Sequence, residues 1–223
     1  MGAIYPAAAA AAAYLLGCVN GAIAASRLFY RDDVRAHGSG NAGLTNFYRT
    51  YGAKCAAAVI AFDMLKAAAA VEFAAWLARL AAQGAPVKAE ALTAGLAVEY
   101  KYWAGLFCVL GHMFPAFYGF KGGKGILCSA TLTLLLDWRI ALVCWGLFAL
   151  LWLTTRYVSL GSLAAAAAFP VMTQLVFDSG LATALAAVIA ALVFWAHRGN
   201  VKRLLNGTES RFRFHVNAPK EEA

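Results

Sequence analysis

Residues 119–125 read GFKGGKG, two lysines among four glycines, and lysine in a glycine-rich turn is chemistry suited to phosphate. Glycine lets backbone N–H groups approach an anion with no Cβ in the way, and each ammonium is a point charge on a flexible stem. Lys121 and Lys124 suit two oxygens of one phosphate, or two phosphates. The spacing is not that of a nucleotide-binding loop. Gly119 to Gly123 is one residue too short, and Lys124 is followed by Gly125 rather than serine or threonine.

Two further segments carry related chemistry. In AHGSGNAGLTNFYRTYG (36–52), Gly38, Gly40 and Gly43 open the backbone, and Ser39, Asn41, Thr45 and Asn46 add neutral hydrogen-bonding groups. Arg49 adds a planar fork for phosphate or carboxylate, and the stretch leads into a helix whose N-terminus favours anions. In HRGNVKRLLNGTE (197–209), His197 and Asn200 share one helix face, and the histidine suits a general base or a phosphate donor. Lys202 and Arg203 read as a juxtamembrane cluster meeting lipid, and Glu209 as a cap or a partner for a nearby cation. His112 is a candidate base or an ordinary interfacial histidine. Its neighbours Phe114, Phe117, Tyr118 and Phe120 read as membrane anchors. Asp63 and Lys66 lie inside an apolar run, where each charge costs about 2.5–3.5 kcal/mol, so they are expected to pair in the protein interior or to contribute to the site from below.

Several chemistries lack their residues. No D-x-x-D-G constellation serves a metal-dependent phosphotransferase, and no histidine is followed five positions later by aspartate as in H-x4-D acyltransferases. There is no G-x-S-x-G elbow, which makes Ser39 a poor covalent nucleophile. The polar residues are rich in anion donors and poor in acids, so charge stabilisation at a phosphate suits them better than metal chemistry. No metal and no cofactor is expected.

The elements that must position these residues are membrane helices. The chain has 223 residues, of which 62% are hydrophobic and 13% charged, with a mean hydropathy of +0.65. Too few charges exist to cover a soluble core of this size. The apolar runs are long and rich in Ala and Leu rather than alternating, so the expected fold is an all-α polytopic transmembrane bundle forming a single domain over 1–223. About seven spans are expected, at roughly 3–28, 52–81, 95–114, 125–137, 139–155, 158–177 and 180–197. The fourth and fifth are short, and a five-span fold with a re-entrant hairpin is the alternative. No basic residue precedes the first run, which therefore reads as a retained span. Arg27, Arg31, Arg35, Arg49, Lys54, Lys121, Lys124, Arg156 and the tail from Arg198 fall on one side, against Arg79, Lys88 and Arg139 on the other. The positive-inside rule then places the N-terminus outside and the C-terminus in the cytoplasm, with all three polar segments on the cytoplasmic face. The formal charge of +8 calls for membrane lipid and anionic substrates rather than nucleic acid. The five cysteines form no C-x-x-C pair and read as packing residues.

Taken together and in this order, GSGNAGLTNFYR, GHMFPAFYGFKGGKG and HRGNVKRLLNGTE resemble the three cytoplasmic motifs of the bacterial acyl-phosphate-dependent glycerol-3-phosphate acyltransferases. The resemblance covers Gly38 to Glu209. It implies an integral enzyme of the bacterial inner membrane that moves a fatty acyl group from acyl phosphate to the sn-1 hydroxyl of glycerol 3-phosphate, releasing lysophosphatidic acid and phosphate. It implies catalytic roles for Ser39, Arg49, His197 and Asn200. Gly38, Gly40, Asn41, Thr45, Asn46, His112, Lys121, Gly122, Gly123 and Lys124 are then expected to hold substrate. Asp63 and Lys66 match a D-x-L-K usual in the second span, which makes them part of the site floor. The chain departs from the family at Gly125-Ile126-Leu127-Cys128, where Ala-Thr is common. The rival readings are an anion transporter and an acyltransferase using acyl-CoA or acyl carrier protein.

Overall fold

The computed structural model describes residues 4–83 and 89–213, and Lys88 lies outside them. Ten α-helices and no strand occur among the described residues. The first apolar run makes two helices, α1 (Ile4–Cys18) and α2 (Gly21–Tyr30). The break falls at Asn20, whose Oδ1 accepts from Ile23 N at 3.0 Å and so starts α2 afresh. After α3 (Leu44–Tyr51) come two long helices, α4 (Ala56–Ala81) and α5 (Ala89–Met113). Then follow α6 (Ile126–Leu136), α7 (Trp138–Thr155), α8 (Val158–Phe177), α9 (Gly180–Ala196) and α10 (Arg198–Leu205).

Helix α1 packs on α5 and α4. A Cβ on Gly17 would meet the Cys108 carbonyl, and one on Gly111 the Tyr14 carbonyl, so the two backbones touch where neither has a side chain. A second group, α7, α8 and α9, returns to the first where α9 packs on α5. Tyr102 of α5 fastens them, hydrogen-bonded to Thr173 of α8 at 2.8 Å and stacked on Phe169. Helix α6 lies between α4, α5 and α7. Glycine at position 105 admits Leu132 against α5. All five cysteines are free, and four are buried.

Each of the seven expected apolar segments is helical, although α4 begins later than expected and α5 earlier. By length and hydropathy together, three of the described stretches can cross a membrane: Ile4–Tyr30 as one broken span, Trp138–Thr155 and Val158–Phe177. Gly180–Ala196 with Arg198–Leu205, bent by 60°, would make a fourth. Helices α4 and α5 are long enough but are not among these stretches, and both carry charged residues. Four of those charges pair with one another. Lys66 pairs with Asp63 at 2.8 Å, and Lys101 pairs with Glu72 at 3.8 Å while donating to the Leu135 carbonyl. Helix α6 has 11 residues, which at about 1.5 Å per residue is half the thickness of the hydrocarbon layer.

Candidate active site

The three polar segments meet at a cleft of about 530 Å³. The first wall is the loop leading into α3. Gly38 (φ +55°) and Gly40 (φ +70°) turn in the left-handed region. Buried Asn46 fixes the turn from inside: its Oδ1 accepts from Ser39 N, and its Nδ2 donates to the Val34 and His37 carbonyls, each at 3.0 Å. A side chain on Gly38 would strike Asn46 Oδ1. Ser39 is thereby presented at the cleft. Helix α3 starts at Gly43 without a side-chain cap, and Gly43, Leu44 and Thr45 line the cleft. Its first-turn N–H groups are available to an anion. Arg49 stands on the same helix, exposed, and lines the same space.

The second wall is the glycine-lysine loop. Gly122 N and Gly123 N donate to the Met113 and His112 carbonyls, each at 3.1 Å, and Gly122 O accepts from Ala42 N at 3.4 Å. A Cβ on Gly122 would meet His112 O, and one on Gly123 would meet His112 Nε2 and Ala42 O. These glycines therefore make room for the end of α5 and for the first loop, and neither lines the cleft. Gly125 (φ +76°) then turns the chain into α6 and leaves Lys124 in the cleft. Lys121 goes elsewhere. It lines a separate surface hollow with Asp33, Arg35, Gly40 and Tyr118, and its carbonyl accepts from Arg35 Nη1 at 3.1 Å.

The third wall comes from α10 and the chain after it. Lys124 Nζ donates to Asn200 Oδ1. Asn200 Nδ2 donates to Glu209 Oε1 at 2.6 Å, and Glu209 also accepts from Ser159 Oγ (2.6 Å) and Arg203 Nε (2.7 Å). His197 is buried with Nδ1 at 2.8 Å from the Val193 carbonyl. A carbonyl only accepts, so the proton sits on Nδ1, and Nε2 is the basic nitrogen of the neutral ring. At the floor, Asp63 and His112 line the cleft. Lys66 lies behind them, 2.9 Å from His112 Nδ1 and bonded to the Gly17 and Val19 carbonyls.

Of the expected residues, the structure gathers Gly38, Ser39, Asn41, Thr45, Asn46, Arg49, Asp63, His112, Lys124, His197 and Asn200 on one cleft, and places Gly40, Lys66, Lys121, Gly122 and Gly123 off it. It adds Ser159 and Ser162 from α8, Arg203 and Glu209, and an apolar side made by Ile126, Leu127, Phe148, Val158 and Phe212. The two serines, spaced i and i+3 in an apolar helix, were the available signal. Arg203 turns toward Glu209 rather than lipid alone. Among the described residues no group of three or more His, Cys, Asp or Glu is placed for a metal ion.

The charge balance favours an anion. Burial pushes the Lys124 ammonium down to about 8, the Arg203 and Arg49 cations push the same way, and Glu209 opposes them. Burial raises the Glu209 carboxyl, but its bonds from Ser159, Asn200 and Arg203 outweigh this and hold it below the ordinary range. The cations outnumber the carboxylates, and Asp63 is already matched by Lys66.

A membrane-helix bundle whose cleft pairs anion donors with an apolar side suits an integral membrane acyltransferase, and similar proteins are of that class. The sequence profile of the glycerol-3-phosphate acyltransferases matches residues 7–207. The chain is 35% identical over 199 residues to the glycerol-3-phosphate acyltransferase of Thermoanaerobacter pseudethanolicus, covering 89% of this chain and 91% of the relative. It is 38% identical over 203 residues to that of Clostridioides difficile, covering 91% and 93%. The crystal structure of PlsY, an integral membrane glycerol 3-phosphate acyltransferase, in its glycerol 3-phosphate form superposes with a TM-score of 0.76 at 32% identity, covering 93% of this chain and 96% of that one. A lysophosphatidic acid form of PlsY matches with the same TM-score at 29% identity. This chain belongs to the glycerol-3-phosphate acyltransferase family and has the PlsY-type integral membrane fold.

The position of Lys124 predicts a pH dependence. Its charge is present below pH of about 8 and is lost as pH rises through that value. A phosphate monoester is a dianion above pH of about 6. The kcat/KM for glycerol 3-phosphate should therefore decline above pH of about 8 in the wild type. Lys124→Arg, which keeps its charge, should shift that decline upward. The same decline in both proteins would assign it to another group.

Proposed function

We propose that this chain transfers a fatty acyl group from acyl phosphate to the sn-1 hydroxyl of glycerol 3-phosphate, giving lysophosphatidic acid and phosphate. The observation that carries this reading is the cleft itself. Arg49, Lys124, Arg203 and the uncapped start of α3 face one space that also has an apolar side. Two phosphates can be held there close together, their repulsion offset by fixed charge, while an alkyl chain lies against Phe148, Val158 and Ile126.

The same geometry favours direct transfer. Among the described residues no serine or cysteine hydrogen-bonds a histidine, so an activated nucleophile for a covalent acyl-enzyme is not assembled. An acyl phosphate is already activated. The hydroxyl oxygen attacks the acyl carbonyl carbon, the C–O bond to phosphate breaks, and phosphate leaves with the electron pair, met by Lys124 and Arg49. The hydroxyl proton passes to His197 Nε2 or to a phosphate oxygen in the same cleft. Ser39, Asn200 and the N–H groups of α3 orient the acceptor, an effect that can supply several kcal/mol. Gly38, Asn41, Thr45 and Asn46 shape that wall, while Gly122 and Gly123 deliver Lys124. The reaction needs no metal.

We further infer seven crossings, with α1 and α2 as one broken span and α6 as a short one. The N-terminus then lies outside, and the C-terminus and the cleft face the cytoplasm of a bacterial inner membrane. The distribution of Arg and Lys supports this orientation. Glycerol 3-phosphate would enter from the water and the acyl donor from the bilayer.

Purified protein given labelled glycerol 3-phosphate should form lysophosphatidate with palmitoyl phosphate and not with palmitoyl-CoA. Product from the CoA ester alone would select the other donor class. For the topology, single cysteines at Lys121 and Gln83 should react with a membrane-impermeant maleimide from opposite sides. Reaction of both from one side would refute the span count.

A further inference from the structure

Asn20 lies outside the cleft, fully buried at the break between α1 and α2. Its Oδ1 caps α2 at Ile23 N (3.0 Å), and its Nδ2 donates to the Ala42 carbonyl at 3.1 Å. Ala42 closes the loop that carries Ser39, and its own N–H donates to Gly122 O in the loop that carries Lys124. Gly122 and Gly123 in turn hang from the Met113 and His112 carbonyls. A Cβ on Gly123 would strike the same Ala42 carbonyl, so the two loops meet where Asn20 grips the first. The break cannot drift, because Lys66 holds the Gly17 and Val19 carbonyls on one side of it and Asp63 accepts from Gly21 N at 3.1 Å on the other.

We propose that Asn20 is a positioning residue for glycerol 3-phosphate: its amide sets the spacing between the Ser39 wall and the Lys124 wall. One side chain thereby couples a helix cap inside the membrane to both phosphate-facing loops. The inference rests on the reading of the cleft as the acyl-transfer site.

Asn20→Ser separates the two bonds. Serine caps a helix as well as asparagine does, but its hydroxyl is too short to reach the Ala42 carbonyl. The variant is expected to fold and to melt in detergent close to the wild type. Its kcat/KM for glycerol 3-phosphate should fall roughly tenfold, the effect of losing one hydrogen bond of ordinary strength, with KM for the acyl donor within about twofold. Asn20→Asp also caps α2 but sets a second acceptor oxygen against Ala42 O in place of the amide donor, so it should show the same one-substrate loss and serves if the serine variant does not fold. A folded variant with wild-type constants for both substrates overturns the proposal, and so does an equal loss for both, which is what a purely structural role gives. Absence of lysophosphatidate from the wild type itself would instead remove the acyl-transfer reading.

Discussion

Two opposite charges in the middle of α4 hold open a break in α1–α2. Lys66 places its ammonium against the Gly17 and Val19 carbonyls, at the C-terminal end of α1, and Asp63 accepts from Gly21 N, at the N-terminal end of α2. Each charge meets the helix end of opposite polarity, an interaction worth up to about 2 kcal/mol when partly buried, and the two also neutralise each other at 2.8 Å. A break within an apolar helical run needs partners for its backbone groups, and this pair supplies them. Removing either partner would strand the other charge, which in buried pairs typically costs about 3–5 kcal/mol.

The cleft follows from that break. Asn20 at the break grips Ala42, Ala42 meets Gly122, and Gly122 and Gly123 close on the end of α5, where His112 returns to Lys66. The ring of bonds joins four segments distant in sequence without using the groups needed for an anion. Lys124, Arg49 and the first turn of α3 are left lining the cleft. Glu209 completes the far wall by drawing Ser159, Asn200 and Arg203 together, which orients Asn200 to accept from Lys124.

Much of this was legible in the sequence. Apolar runs gave the helices, and the polar segments that interrupt them gave most of the cleft, because glycine, arginine and asparagine clusters between spans have few other uses. What stayed hidden depends on direction and distance. Lys121 and Lys124 look equivalent on paper, but the hydrogen bonds of Gly122 and Gly123 and the positive φ at Gly125 send them to different hollows. Ser159 and Glu209 meet across 50 positions, beyond any local pattern. Asn20 was a lone polar residue in an apolar run, and its role depends on Ala42 being beside it. The contact of Lys101 on α5 with Glu72 on α4 was hidden for a related reason, since it exists only once those helices are packed.

A structure with glycerol 3-phosphate bound is the most direct test of where the anion sits. Its phosphate should lie within hydrogen-bonding distance of Lys124 Nζ and the Arg49 guanidinium, against the first turn of α3, with the glycerol hydroxyls toward Ser39 and Asn200. A phosphate found instead in the hollow beside Arg35 and Lys121, with the cleft of Lys124 empty, would contradict the assignment of the site.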